Sequence, residues 1–170
     1  MDSSDFVSQK LAYETRVLIE EAERILPSSI VTFLPVGVIE EIRQSGRCVA
    51  FDIPTAATFH IIRATECVIR MYYEHVVGKP PKVKSRNWGA YIKTLRESGR
   101  AKPEIISVLD HIREVYRNPI LHPEVTLTPE EAQVILGICA SAICQMALAI
   151  QHTPRTAAPA PALVAIAGNR

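Results

Sequence analysis

Thr128-Pro129-Glu130-Glu131 opens the stretch that decides the fold, and the twenty residues after it, 132–151, carry no charge at all. The first four residues form a helix-start signal. Thr128 is placed to cap the helix, proline fits the first helical position, and Glu131 can reach back to the Thr128 backbone. The run that follows is Ala-Gln-Val-Ile-Leu-Gly-Ile-Cys-Ala-Ser-Ala-Ile-Cys-Gln-Met-Ala-Leu-Ala-Ile-Gln. It is long enough to cross a bilayer. Gln133, Gln145 and Gln151, the polar cap and the lack of basic flanking residues argue instead for a helix buried at the centre of a bundle. Gly137, Ala140, Ser141, Cys144 and Ala147 form a small-residue surface where a second helix could approach closely, which points to a subunit interface.

Working back from that helix, the rest of the chain also reads as helical. Residues 103–117 place Ile105, Leu109, Ile112 and Tyr116 on one face, with Asp110, Arg113, Glu114 and Arg117 on the other. Residues 88–98 form a shorter helix ended by Gly99. Residues 56–77 carry a stripe of Phe59, Ile62, Ile69, Tyr73 and Val76, begun by Asp52-Ile53-Pro54-Thr55 and closed by Gly78-Lys79-Pro80-Pro81. The run 48–51 is compatible with helix or strand. Pro35 opens a short helix through Glu40, Glu41, Ile42 and Arg43 that should break near Ser45-Gly46. Residues 6–26 set Val7, Leu11, Leu18, Ala22 and Ile25 at helical spacing, and Pro27-Ser28-Ser29 ends that helix. The expectation is an all-α protein, an up-and-down bundle of four to five helices with an additional N-terminal helix. Residues 1–50 form a helical extension packing on the bundle, 51–152 the bundle itself, and 153–170 a disordered Pro/Ala-rich tail.

Composition narrows the function. With 48% hydrophobic residues the chain has a core to bury, and a formal net charge of +1 excludes a uniformly polybasic nucleic-acid clamp. Any anion site must be local. Cys48, Cys67, Cys139 and Cys144 show no metal-binding spacing and read as small core residues in a reducing compartment. The acidic start Met1-Asp2-Ser3-Ser4-Asp5 lacks a signal-peptide pattern, so a cytoplasmic location without membrane attachment is expected. No cofactor or metal is called for.

Two local features carry chemistry. The first is Arg117-Asn118-Pro119-Ile120-Leu121-His122, followed by Pro123. Arginine holds phosphate oxygens with a planar fork of donors, and histidine moves protons near neutral pH. In an unbroken helix these two residues would point roughly 140° apart. Pro119 tends to end the helix at Asn118, so a bend could turn His122 back toward Arg117. The plainer reading is that Asn118-Pro119 stops a helix and His122-Pro123 begins a turn.

The second feature is a basic segment. Between Lys79 and Lys102 lie eight basic residues and one acid, Glu97. Lys82, Lys84, Arg86, Lys93 and Arg96 are candidates for holding RNA phosphates, with Trp88 and Tyr91 interleaved. Trp88 could equally be a core residue, and the charges a solvated surface. Glu66 sits inside an apolar stripe with Arg63 and Arg70 in side-chain reach. That trio is either a structural ion pair or a set of groups orienting a catalytic arginine.

An all-helical chain with Arg-Asn-x-x-x-His at the end of its penultimate helix resembles the HEPN (higher eukaryotes and prokaryotes nucleotide-binding) superfamily. The likeness extends more softly over residues 50–150, from Pro54-Thr55-Ala56-Ala57-Thr58-Phe59-His60 with Glu66 to the Ala-rich last helix. It implies a helical bundle acting as a homodimer through that last helix, many such proteins being metal-independent ribonucleases of toxin–antitoxin or phage-defence systems. Carried onto this chain, His122 would act on the 2′-OH as general acid/base, Arg117 would bind the scissile phosphate, and Asn118 would hold backbone or phosphate. The product would be a 2′,3′-cyclic phosphate, and the partners RNA and an antitoxin or defence-system protein. The same superfamily includes non-catalytic modules that bind a nucleotide or a partner protein, which is the alternative expectation.

Overall fold

The computed structural model describes residues 9–10, 13–82 and 87–153, and they form an all-α structure. A two-residue antiparallel ladder, β1 (Gln9–Lys10) and β2 (Tyr13–Glu14), leads into α1 (Thr15–Glu20) and a 3₁₀ turn (Ala22–Ile25). Then follow α2 (Ser28–Val31), α3 (Val36–Ala50), α4 (Pro54–Val77), α5 (Trp88–Glu97), α6 (Pro103–His111), a π-helical turn (Ile112–Arg117), a 3₁₀ turn (Pro119–Leu121) and α7 (Pro129–His152). The tail expected to be disordered lies outside the described residues.

The helix expected over residues 6–26 is corrected. Gln9 pairs with Glu14 and Lys10 with Tyr13, so the chain becomes helical only at Thr15. Glu21 leaves the helical region (φ −143°), and residues 22–25 tighten into a 3₁₀ turn. Leu18 and Ala22 still enter the core, which is why the spacing resembled one continuous helix; Val7 and Leu11 lie outside the described residues.

The break expected at Ser45-Gly46 is also absent. α3 runs through both residues to Ala50 and takes the ambiguous run 48–50 with it. Buried Ser45 donates its hydroxyl to the Ala57 carbonyl at 2.8 Å, tying α3 to α4. Gly46 sits where a Cβ would lie 2.2 Å from Ala22 Cβ and 2.7 Å from the Leu18 carbonyl oxygen. The glycine thus lets α1 and its 3₁₀ extension cross close over α3, rather than stopping the helix.

The middle position belongs to α4, not to α7 as the uncharged sequence suggested. α3 and α7 pack lengthwise on α4, while α5 rests on α4 and α6 joins α5 to α7. Residues on both sides of position 50, such as Leu18, Ile30, Ile42, Ile61, Ile69 and Ile143, share one core. α4 begins at Pro54 and ends on Gly78 in the left-handed conformation (φ 80°), a position that favours glycine. Ile62, Ile69, Tyr73 and Val76 are buried as expected, but Phe59 is 37% exposed.

α7 starts with the expected capping box: the Glu131 N–H donates to Thr128 Oγ1 at 3.2 Å and the Thr128 N–H to Glu131 Oε2 at 2.7 Å. By length and composition α7 could cross a membrane, and 56% of its most apolar window is buried inside this chain. Cys139 lies wholly inside, against Thr65 of α4, where burial pushes its thiol up to about 12. The opposite face, with Val134, Ser141 and Leu148, is open to solvent.

Candidate functional site

The backbone around Arg117 departs twice from a regular helix. α6 gives way at Ile112 to the π-helical turn, closed by the Asn118 N–H donating to the Arg113 carbonyl at 2.9 Å, five residues back. Such a widened turn is uncommon and recurs at functional sites. Pro119, which has no N–H to donate, then begins the 3₁₀ turn, where the Leu121 N–H reaches the Asn118 carbonyl and the His122 N–H the Pro119 carbonyl. His122 leaves in the extended conformation (φ −90°, ψ 125°). The segment 103–117, expected as one α-helix, is therefore α-helical only to His111. Tyr116 is half-buried, packs against the core beside Ile105, Leu109 and Ile112 only in part, and meets His111 edge-on at 5.5 Å.

The side chains follow this bend. Arg117 is half-buried and donates from Nη1 to Asn118 Oδ1 at 3.3 Å. The His122 side chain is 65% exposed, its Nδ1 3.7 Å from Glu124 Oε1. No hydrogen bond or ion pair joins Arg117 to His122 among the described residues.

Beside the turn lies a groove of about 480 Å³ whose walls include Val115, Pro119, Ile120, Leu127, Val134 and Ile135. Val115 is 47% exposed and Leu121 54%, so the surroundings of the turn are apolar as well as cationic.

The basic segment is more neutral in space than in sequence. Arg96 pairs with Asp110 of α6, and Arg113 bridges Asp110 at 3.2 Å and Glu114 at 2.7 Å. Lys93 lies 3.9 Å from Glu97, and Lys82 is exposed. Lys84 and Arg86 lie outside the described residues. Trp88 and Tyr91 are each 1% exposed, which removes both as stacking surfaces for bases. Asp110, fourteen residues after Arg96, belongs to another helix, and no local spacing signals its approach.

The trio around Glu66 is rearranged. Glu66 Oε2 accepts the Trp88 indole N–H at 2.9 Å, Arg63 pairs with Glu41 of α3 at 2.7 Å, and Arg70 donates to Cys67 Sγ at 3.4 Å. Among the described residues, the contacts of Arg63, Glu66 and Arg70 are with groups of α3, α4 and α5, so an orienting role toward Arg117 has no contact behind it here. The sequence reading missed Glu41, whose second oxygen lies 2.7 Å from His60 Nδ1. Glu41 thereby holds two residues of α4, His60 and Arg63, one turn apart.

Among the described residues, no three His, Cys, Asp or Glu side chains gather as a metal site. No family model, curated protein or solved structure matches the chain.

Proposed function

We propose that the chain is a metal-independent endoribonuclease of the HEPN type, acting as a homodimer in a toxin or phage-defence role. One observation carries the reading. Within six residues the backbone passes from a π-helical turn through a proline-initiated 3₁₀ turn, leaving Arg117 at the end of one and His122 exposed at the end of the other. Arg117 and Asn118 would bind the scissile phosphate. His122 would accept the proton of the attacking 2′-OH or give one to the leaving 5′ oxygen, yielding a 2′,3′-cyclic phosphate. The exposed uncharged face of α7 offers the self-complementary surface that a two-fold pair requires. Lys82 adds a cation for RNA, whereas Lys93 and Arg96 contribute less because carboxylates already face them.

The test is incubation of the purified chain with single-stranded or transfer RNA in EDTA. Cleavage that persists under chelation and disappears in His122→Ala supports the mechanism; loss under chelation, or full activity of the variant, ends it. A second reading, a non-catalytic module that binds a nucleotide or a partner protein, is favoured by the apolar groove beside the turn. It predicts binding without turnover, and unchanged binding in His122→Ala.

A further inference from the structure

We propose that the apolar run at residues 163–167, Leu-Val-Ala-Ile-Ala, docks in cis into the groove beside the Arg117–His122 turn. The groove has apolar walls on both sides, and Val134, at its α7 edge, is 53% exposed. It lies at the start of α7, whereas the tail leaves from the far end of that helix. From residue 152 back to residue 134 is about 27 Å at 1.5 Å per residue. Residues 153–162, Thr-Pro-Arg-Thr-Ala-Ala-Pro-Ala-Pro-Ala, are ten in number, and ten residues reach at most about 33–36 Å. The connector is therefore long enough for the apolar run to reach the groove.

The surface between these points suits such a connector. Leu148, Gln145, Ser141 and Val134 recur along one uncharged side of α7, matching alanine and proline in size and polarity. On one flank this track meets Tyr13, whose hydroxyl lies 3.3 Å from where a Gly137 Cβ would be. Charge fixes the direction. Arg170 follows the apolar run, and exposed Glu130 lines the far end of the groove. A run of this length and hydrophobicity also buries its side chains better in a groove than in water.

On the dimer reading above, the docked tail and a second copy would compete for the same face of α7. Docking itself does not depend on nuclease activity, and its test needs no RNA. The full chain carrying Val134→Cys and Ile166→Cys is oxidised mildly at low concentration, and the disulfides are mapped by mass spectrometry. The comparison pair is Lys93→Cys with Ile166→Cys, Lys93 being exposed on α5. Both pairs share one tether, so docking should make the 134–166 link form about tenfold faster than the 93–166 link. Equal rates overturn docking, and a 134–166 link formed only between chains overturns the cis arrangement. In the full chain, Leu163→Asp with Ile166→Asp should raise the dimer fraction several-fold in sedimentation velocity. If the link forms and the dimer fraction does not rise, α7 is removed from the dimer reading while tail docking stands.

Discussion

The indole N–H of Trp88 donates to Glu66 Oε2 at 2.9 Å, at a point where the indole is 1% exposed. This bond fixes α5 to the central helix and explains a carboxylate set within an apolar stripe.

Removing the acceptor leaves a buried donor without a partner, which costs about 1–3 kcal/mol. Glu66→Ala should therefore lower stability by that order in urea unfolding, and Glu66→Gln, which keeps a carbonyl acceptor, by clearly less. Equal losses would show that the bond adds nothing.

Gly46 has no room for a methyl group. Gly46→Ala should destabilise by about 1–3 kcal/mol through overpacking, despite alanine's better helix propensity. For a chain of this size that is a drop of roughly 2–4 °C in Tm per kcal/mol. A raised melting temperature in calorimetry would place Ala22 and Leu18 further from α3 than described.

Arg43 grips Glu23 with two hydrogen bonds, Nε to Oε2 at 2.9 Å and Nη2 to Oε1 at 2.6 Å. These bonds hold the Glu23 carboxyl below its ordinary range. A carboxyl depressed on folding contributes stability above its unfolded pKa, about 4.3, and loses it as pH falls through the folded value. Glu23→Gln should be less stable than the parent at pH 7, with the gap closing below about pH 4. A gap independent of pH would assign the loss to packing alone.

His122 is exposed and outside the core, so His122→Ala should change stability by no more than about 0.5 kcal/mol. Loss of general acid/base catalysis should slow RNA cleavage by about 10²–10⁴-fold. Pro119→Ala, which restores a backbone donor and loosens the bend, should reduce cleavage while leaving the melting temperature nearly unchanged. Full cleavage by the Pro119→Ala chain would separate the bend from the chemistry.

What the sequence disclosed was local. The capping box at Thr128 and Glu131, the proline start and glycine stop of α4, and the short helix before Gly99 are set by chemistry a few residues long. Contacts between distant segments were hidden. Gly46 looked like a break because nothing nearby announces that α1 crosses it. Glu41 gave no sign of reaching His60 and Arg63, and Asp110 none of neutralising Arg96. The bend after Arg117 was legible because a proline marks it. The widened turn before it was not, since Ile105, Leu109, Ile112 and Tyr116 keep ordinary α-helical spacing. Lys84 and Arg86 are legible only as charge.

The widened turn at Ile112–Arg117 accommodates an extra residue in its five-residue loop of hydrogen bonding. Deleting one residue there would remove the bulge and return the segment to α-helical hydrogen bonding, while the segments on either side keep their mutual orientation because the wide turn had already absorbed the extra residue. A single codon there would thus narrow or widen the reactive turn while the scaffold on either side keeps its packing.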